Sequence, residues 1–494
     1  MVATCELSHC NLDSYPLNNL RCILHDTDPH KDPDKFQAVL ADEISRQEED
    51  SELTVIELQS TTFLPQTDFT NRVFRKSINM NFSHFLRDAN FTNAKFEDTV
   101  FGVNILVNGD ADFQGASFER SVVFRQMKVS GRLNCSDTSW GAEAEFSSAS
   151  FAGGVNFSSA KFNDRVNFSF ATFNTAASFF NSCFSGDANF TLATFDSDAY
   201  LAPATFSGET RFNSTRFSDE TNFRDADLSK ASQVDFSSVS VGTSLDFSRT
   251  QFPTENHGPN VAFRYLESDS SAKVRFESVS LIRVSFLYSD ISPLQFVGCT
   301  WPKISGRNAV YDEIALYDPK EIHEVVLEPQ LIADQYRQLR LNLEAGKQEV
   351  EAGDFYIRQM EMRRRDSDSF SMVYRFLLFG YRSVAMYGES YVRPVLLIFA
   401  IAPVFGLLYI LGGFYVPDGT SVREIKYELG WPPSVGVLQD YFRANVHALT
   451  AGGFLGTKLV TPSWWVTGIR FLNMLFDTLL LAAFIIAIRR NFHR

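Results

Sequence analysis

Cysteine is scarce here, six among 494 residues, and no two of the six share the paired CxxC spacing of a structural zinc site. Their scatter excludes a disulfide framework. Basic charge is also short: 45 Lys and Arg face 59 Asp and Glu, for a net charge of -14, which argues against a nucleic-acid-binding surface. The eight histidines do not cluster with acids or cysteines in any metal or triad spacing, and no glycine-rich phosphate loop is present. No enzymatic activity, catalytic residue or cofactor is therefore expected. The N-terminal stretch lacks the apolar core of a secretory signal, which places the bulk of the chain in the cytosol. Through the first 390 residues there is no long apolar run, although two fill the last hundred.

Tryptophan is rare as well, five residues beside 16 Tyr, whereas Phe occurs 48 times. A bias toward one aromatic points to a repeat that buries the same residue many times. From Phe63 to Leu228 the large apolar residues fall in steps that alternate between five and six, as in Phe146, Phe151, Phe157, Phe162, Phe168, Phe173, Phe179 and Phe184. Gly102 is the one weak step, with Phe101 beside it. The phase slips between Leu228 and Phe236, returns at Val241, Phe247 and Phe252, and closes in plain fives from Phe276 to Trp301. Two residues before most aromatics stands a small one, such as Ala144, Ala149, Ala160, Ala171, Ala177, Ala188 or Ala193. Neither a helical nor a strand period explains this pattern. A coil with four short sides does: each side turns one large and one small residue inward, and stacking sets Phe over Phe at the strand spacing.

This pattern resembles the pentapeptide-repeat family, and the resemblance implies a right-handed quadrilateral β-helix. The extra residue in alternate steps suggests a bulge or wider corner on alternate sides. Residues 61–302 are assigned to this solenoid and 1–60 to an N-terminal cap. Within that cap Leu7, Leu12, Leu17 and Cys22 fit a five-residue register, with Cys5 and Cys10 at the small position. A zinc site from Cys5, Cys10, Cys22 and His25 (or His9) is weighed against repeat-position cysteines, and the latter are preferred, so no metal is expected. Residues 26–52 read as a helix or loop.

Residues 303–390 form an α-helical linker, with two antiparallel helices joined near Ala345–Gln348 in Leu331–Arg365 and an amphipathic interfacial helix over Phe370–Tyr387. Its stretch from Tyr336 to Arg365 is similar to one in pentapeptide proteins with membrane tails. Residues 391–494 form the transmembrane domain, with spans over 394–416 and 464–488. Arg363, Arg364, Arg365, Arg375, Arg382 and Arg393 precede the first span, and Arg489, Arg490 and Arg494 follow the second. The positive-inside rule then puts both termini in the cytoplasm and residues 417–463 outside.

Between the spans, a moderately apolar helix and loop over 438–457 runs into Thr450, Ala451, Gly452, Gly453, Phe454, Leu455 and Gly456. The order of span, short helix, Thr/Gly-rich loop, proline and span resembles the two-helix pore of the potassium-channel-like superfamily. That resemblance implies a pore filter at Thr450, Ala451, Gly452, Gly453, Phe454 and Gly456, and a homotetramer. Non-helical backbone at membrane depth survives where it lines a cavity, and inward carbonyls bind cations. The filter departs from Thr-Val-Gly-Tyr-Gly-Asp, and Lys458 stands near the outer mouth. Arg470, Asn473 and Asp477 fall on one helical face, so Asn473 and Asp477 are candidate pore-lining residues; an Asp477–Arg470 pair between subunits is the alternative.

The expected protein is thus an oligomeric cation channel of a prokaryotic inner membrane. Its partners are permeant ions, lipid and a possible cytoplasmic protein on the solenoid. A membrane-anchored scaffold without conduction is the alternative. A topoisomerase-binding DNA mimic is less favoured, because acids and bases are mixed along 63–301.

Overall fold

The computed structural model describes residues 10, 12, 21–254, 261–269, 271–317, 327–366, 370–418, 421–426, 435–451 and 464–492. The chain divides into two compact units, Met1–Gly346 and Lys347–Arg494. The division falls inside the helical segment expected at 303–390.

The first unit is a parallel β-solenoid of about 11 turns, consistent with a pentapeptide-repeat coil. Its strands are two to five residues long and lie in four sheets of 11, 10, 7 and 10 strands. Each strand pairs with the one a full turn away, as Ala111 with Leu133 and Leu133 with Val155. Partners over most of the array are 22 residues apart, which is two of the 11-residue units. The core is a set of aromatic columns. Phe91 stacks on Phe113 at 5.0 Å and 2°, Phe190 on Phe212 at 4.7 Å and 3°, and Phe236 on Phe263 at 4.9 Å and 2°. These separations match the strand repeat, so each ring sits directly over its neighbour. The alanines two residues earlier are equally buried, since the tube has room for one large side chain per side.

The alternation of five and six is an alternation of corners. Most five-residue steps contain a tight turn: Ala149 N–H donates to Phe146 O, and Ala160 N–H to Phe157 O. The third turn residue is left-handed, with φ of 58° at Ser148, 59° at Ser159, 58° at Phe170 and 55° at Asn181, as a type II turn demands. Just before the central Phe, an Asn or Asp carboxamide or carboxylate caps the turn. Asn156 Oδ1 accepts from Ser158 N–H at 3.0 Å, Asn189 Oδ1 from Thr191 N–H at 3.0 Å, and Asp246 Oδ1 from Ser248 N–H at 2.8 Å. Six-residue steps carry an open bend instead. At several of these bends successive coils approach so closely that only glycine fits: a Cβ on Gly153 would lie 2.2 Å from the Gly131 carbonyl oxygen. Gly153→Ala is therefore expected to destabilise the solenoid by about 1–3 kcal/mol through backbone displacement, read as a lower midpoint in chemical unfolding.

At the weak step the column adapts. Gly102 leaves room into which Phe124 and Ile105 press (2.7 and 2.6 Å from an added Cβ), and the Phe124 ring tilts 57° against Phe146 while Phe101 faces outward. The phase slip is a longer coil: Thr210 pairs with Val234 and Val234 with Val261. The closing fives restore a shorter one, with Phe276 opposite Phe296 and their rings 5.5 Å apart.

Both ends of the sheet stack are covered, as exposed strand edges require. At the start lies α1 (Pro33–Glu49), whose Asp32 side chain caps its N-terminus and whose Phe36, Leu40 and Ile44 are buried. Gln47 on this helix stands in for a missing strand, with Oε1 accepting from Glu57 N–H at 2.6 Å. Of the five-residue register expected at Leu7, Leu12, Leu17 and Cys22, with Cys5 and Cys10 at the small position, only Cys10, Leu12 and Cys22 fall within the described residues, and these form no strand. At the far end come α2 (Tyr311–Tyr317) and α3 (Pro329–Ala345). Here Tyr336 donates to Glu313 at 2.6 Å, Gln335 to Asp312 at 2.8 Å, and Asn342 to the Ser292 carbonyl at 2.9 Å. Burial pushes the Asp312 carboxyl above the usual range against the hydrogen bonds from Ser285 and Gln335. Tertiary packing of a short polar helix such as α2 leaves no periodic signal.

Candidate transmembrane site and its clasp

The second unit holds α4 (Glu349–Arg365), α5 (Met372–Ala385), α6 (Val392–Gly412), α7 (Val435–Ala451) and α8 (Trp464–Phe492). Both α6, 21 residues, and α8, 29 residues, are long and apolar enough to cross a bilayer. The first is shorter than its apolar run. Gly413 takes φ of 86° and ends the helix, and Phe414–Asp418 turns back as a strand paired with Ser421–Ile425, so residues 413–416 are not part of a helical span.

Between the two long helices, α7 packs on the interior of α6. Tyr441 Oη donates to the Pro403 carbonyl at 3.1 Å, Asn445 lies against Gly406, and the His447 ring meets Tyr409 edge-on at 5.0 Å. Asn445 approaches because Gly406 lacks a Cβ, which would stand 3.0 Å from the carboxamide. The shared core is Ala402, Phe405, Tyr409, Ile410, Ile425, Ala444, Ala448 and Val466. Those contacts advance together along both helices. Hence α7 runs parallel to α6, and its carbonyl end faces the side on which α6 ends. A helix re-entering from that side would run the opposite way.

The candidate residues separate in this frame. Thr450 and Ala451 are the last residues of α7 and are helical, not loop, while Gly452, Gly453, Phe454 and Gly456 lie outside the described residues. Asn473 is buried and donates to the Ala448 carbonyl at 2.9 Å, occupying a carbonyl near the end of α7. It belongs to a stripe with Val466, Leu480 and Ala487, spaced by sevens, that is the buried seam of α8. Asp477 and Arg470 are half-buried on the flank of that seam. Most other side chains of α8, among them Trp464, Phe471, Leu479, Ile485 and Ile486, face outward.

Below the hairpin the arginines that mark its basic side are held by two acids that sequence reasoning missed. Glu361 on α4 is buried and receives Arg364 at 2.9 Å, Arg382 of α5 at 2.8 Å and the Tyr387 hydroxyl at 2.9 Å. Burial alone would raise its pKa, but the Arg364 and Tyr387 hydrogen bonds and the Arg364 and Arg382 charges outweigh it and hold the carboxyl below the usual range. Arg490, near the end of α8, pairs with Glu389 at 2.7 Å and lies 3.5 Å over the Tyr356 ring of α4. The α5–α6 junction turns through three left-handed residues, Met386, Tyr387 and Gly388 at φ 52°, 59° and 84°. Burial of Tyr387 and its bond to Glu361 hold that strained turn. On α5, Met372, Val373, Phe376, Leu377 and Phe379 are exposed along an apolar face, as a helix lying on a membrane surface would show. In sequence Glu361 shows only as the single acid inside the run QMEMRRR.

The first unit carries a groove of about 500 Å³ on one solenoid face, lined by Asp110, Asp112, Arg132, Asn134, Asn156 and Tyr200 among others. Near its N-terminal cap, Cys10, Cys22 and His25 converge, with Cys22 Sγ 3.6 Å from Cys10 Sγ and 3.0 Å from His25 Nδ1. Comparison with protein-family models, curated proteins and solved structures finds no match, so the solenoid with two apolar helices stands on its own geometry as a fold compatible with a membrane-anchored repeat protein.

Proposed function

We propose that this chain is a membrane-anchored repeat protein whose α6–α8 hairpin assembles with copies of itself into a cation-conducting pore, with the solenoid in the cytoplasm of a prokaryotic cell. The observation that carries this reading is α7, a helix bearing Asn445 and His447 packed on the interior of an apolar span. Polar side chains at that depth are costly and mark ion or substrate paths. The carbonyl end of α7 carries partial negative charge and leads into the glycine-rich residues 452–456, a combination that favours cations over anions. Asp477, on the flank of the buried seam, supplies a carboxylate to a shared cavity in an oligomer. A tetramer follows from the resemblance of the span order alone.

Asn473 is assigned a packing role, because its carboxamide is spent on Ala448. The filter role expected of Thr450, Ala451, Gly452, Gly453, Phe454 and Gly456, and the pore-lining role of Asp477, stay part of this proposal. A second reading has a specific observation behind it: α7 runs parallel to α6, which sets its carbonyl end toward one face and not toward mid-depth. In that case the hairpin anchors a binding surface, and the solenoid groove is where a protein partner docks.

Recording from planar bilayers that contain the full-length protein separates the two. The channel reading expects discrete cation-selective currents that Asp477→Asn reduces by about twofold or more, as removal of a ring charge does. Silence across the voltage range, with the protein incorporated, leaves the anchor reading.

A further inference from the structure

We propose that Cys10, Cys22 and His25 form a zinc site that closes the N-terminal end of the solenoid. The Cys22–Ile23–Leu24–His25 segment is a tight turn in which His25 and Asp26 N–H both donate to Cys22 O, at 3.1 and 2.9 Å. This turn sets Cys22 Sγ and His25 Nδ1 side by side at 3.0 Å. Cys10 Sγ arrives from an earlier segment at 3.6 Å from Cys22 Sγ, and the three ligand atoms lie within 4.8 Å of one another. Two thiolates on a tetrahedral zinc, each about 2.3 Å from the metal, stand about 3.8 Å apart, and a thiolate and an imidazole nitrogen about 3.5 Å apart. The cysteine pair is close to that separation, far beyond the bond length of a disulfide, and the Cys22 Sγ–His25 Nδ1 contact has to open by only about half an ångström.

The far side of the imidazole fixes its chemistry. His25 Nε2 is 3.0 Å from the Gln59 carbonyl, which can only accept. Nε2 therefore carries the proton, and Nδ1 turns its lone pair toward the sulfurs, the arrangement that orients metal-bound histidines. Two thiolates and a neutral imidazole around a divalent ion give no net charge, as a buried site requires. The turn is tied to the first coil by Thr62 N–H to Leu24 O at 2.8 Å, and Lys31 Nζ bridges the Asp26 and Thr62 carbonyls at 2.9 and 2.7 Å. A metal here would tie Cys10 to the turn at 22–25, with the fourth tetrahedral position left to water or another ligand.

Metal analysis of the full chain, purified in detergent without chelator or added metal, tests this. The expected result is about one zinc per chain, lost in Cys22→Ser and in His25→Ala and kept in Cys183→Ser. Cobalt added to metal-stripped wild type should give a thiolate charge-transfer band, a readout that needs no variant to fold. The proposal is overturned if wild type retains no zinc and cobalt gives no such band. It is equally overturned if zinc survives in the Cys10→Ser, Cys22→Ser double variant, or if peptide mapping of unreduced protein finds Cys10 joined to Cys22.

Discussion

Phe190→Ala is expected to cost the solenoid about 4 kcal/mol, the range for truncating a fully buried phenylalanine. Phe190 has no exposed surface and lies between Phe168 at 5.1 Å and Phe212 at 4.7 Å, with Phe179 edge-on at 5.5 Å and Phe184 at 6.2 Å. Removing the ring opens a cavity that its neighbours cannot close, since each is fixed in its own column by the coils above and below. A solenoid holds together through nearest-neighbour contacts, so the defect also weakens coupling between the two halves of the rod. Chemical unfolding of the full chain, followed through aromatic circular dichroism, reads the effect. A loss under about 1 kcal/mol would mean that the columns are not the main source of stability.

Glu361→Ala is expected to cost the second unit about 3 kcal/mol. That is the low end for breaking a buried ion pair, because Arg364 and Arg382 reach solvent and can partly rehydrate. The change removes the acceptor of three donors at once, frees Tyr387 from a left-handed conformation it holds at a cost, and leaves Arg382 with no carboxylate from α4. A pH signature accompanies it. The folded-state pKa of Glu361 is depressed, so the stabilisation is fully present above the ordinary glutamate value near 4.3 and is lost as pH falls through the lower folded value. Wild type should therefore lose second-unit stability on acidification more steeply than Glu361→Gln, measured by thermal unfolding in detergent between about pH 6 and pH 3. Parallel acid profiles for the two proteins would show that the clasp contributes nothing through this carboxylate.

The solenoid was legible because its determinant is local and repeated: one buried Phe and one buried Ala on each short side. Its corners were not. The left-handed positions hold Ser148, Phe170, Asn181, Leu192 and Arg249 with no common side chain, because the turn is set by backbone hydrogen bonding and the outward side chain is unconstrained. Where turn lengths vary, between Leu228 and Phe276, the stack tolerates insertion at a corner and only the phase of the pattern changes. In the second unit, apolar length announced α6 and α8, and the seam of Val466, Asn473, Leu480 and Ala487 could have been read from its sevenfold spacing. The direction of α7 could not, since it depends on which of its faces meets Pro403, Gly406 and Tyr409. Glu361 precedes a run of arginines and Glu389 follows a Met-Tyr-Gly segment, neither with a marked partner in sequence, and only the fold brings Arg382 and Arg490 to them. Cys10, Cys22 and His25 lack a standard spacing in sequence, yet the turn at 22–25 sets Cys22 beside His25, and Cys10 meets them there.

Sided labelling tests the anchoring claim most directly. All six cysteines lie before residue 300 and none in the hairpin, so a single Gly419→Cys in a background that keeps Cys183 gives two reporters. With an impermeant maleimide on sealed vesicles of known orientation, the account predicts that Cys183 labels only from the cytoplasmic side and position 419 only from the opposite side. Labelling of both positions from the same side would contradict a hairpin that crosses the membrane.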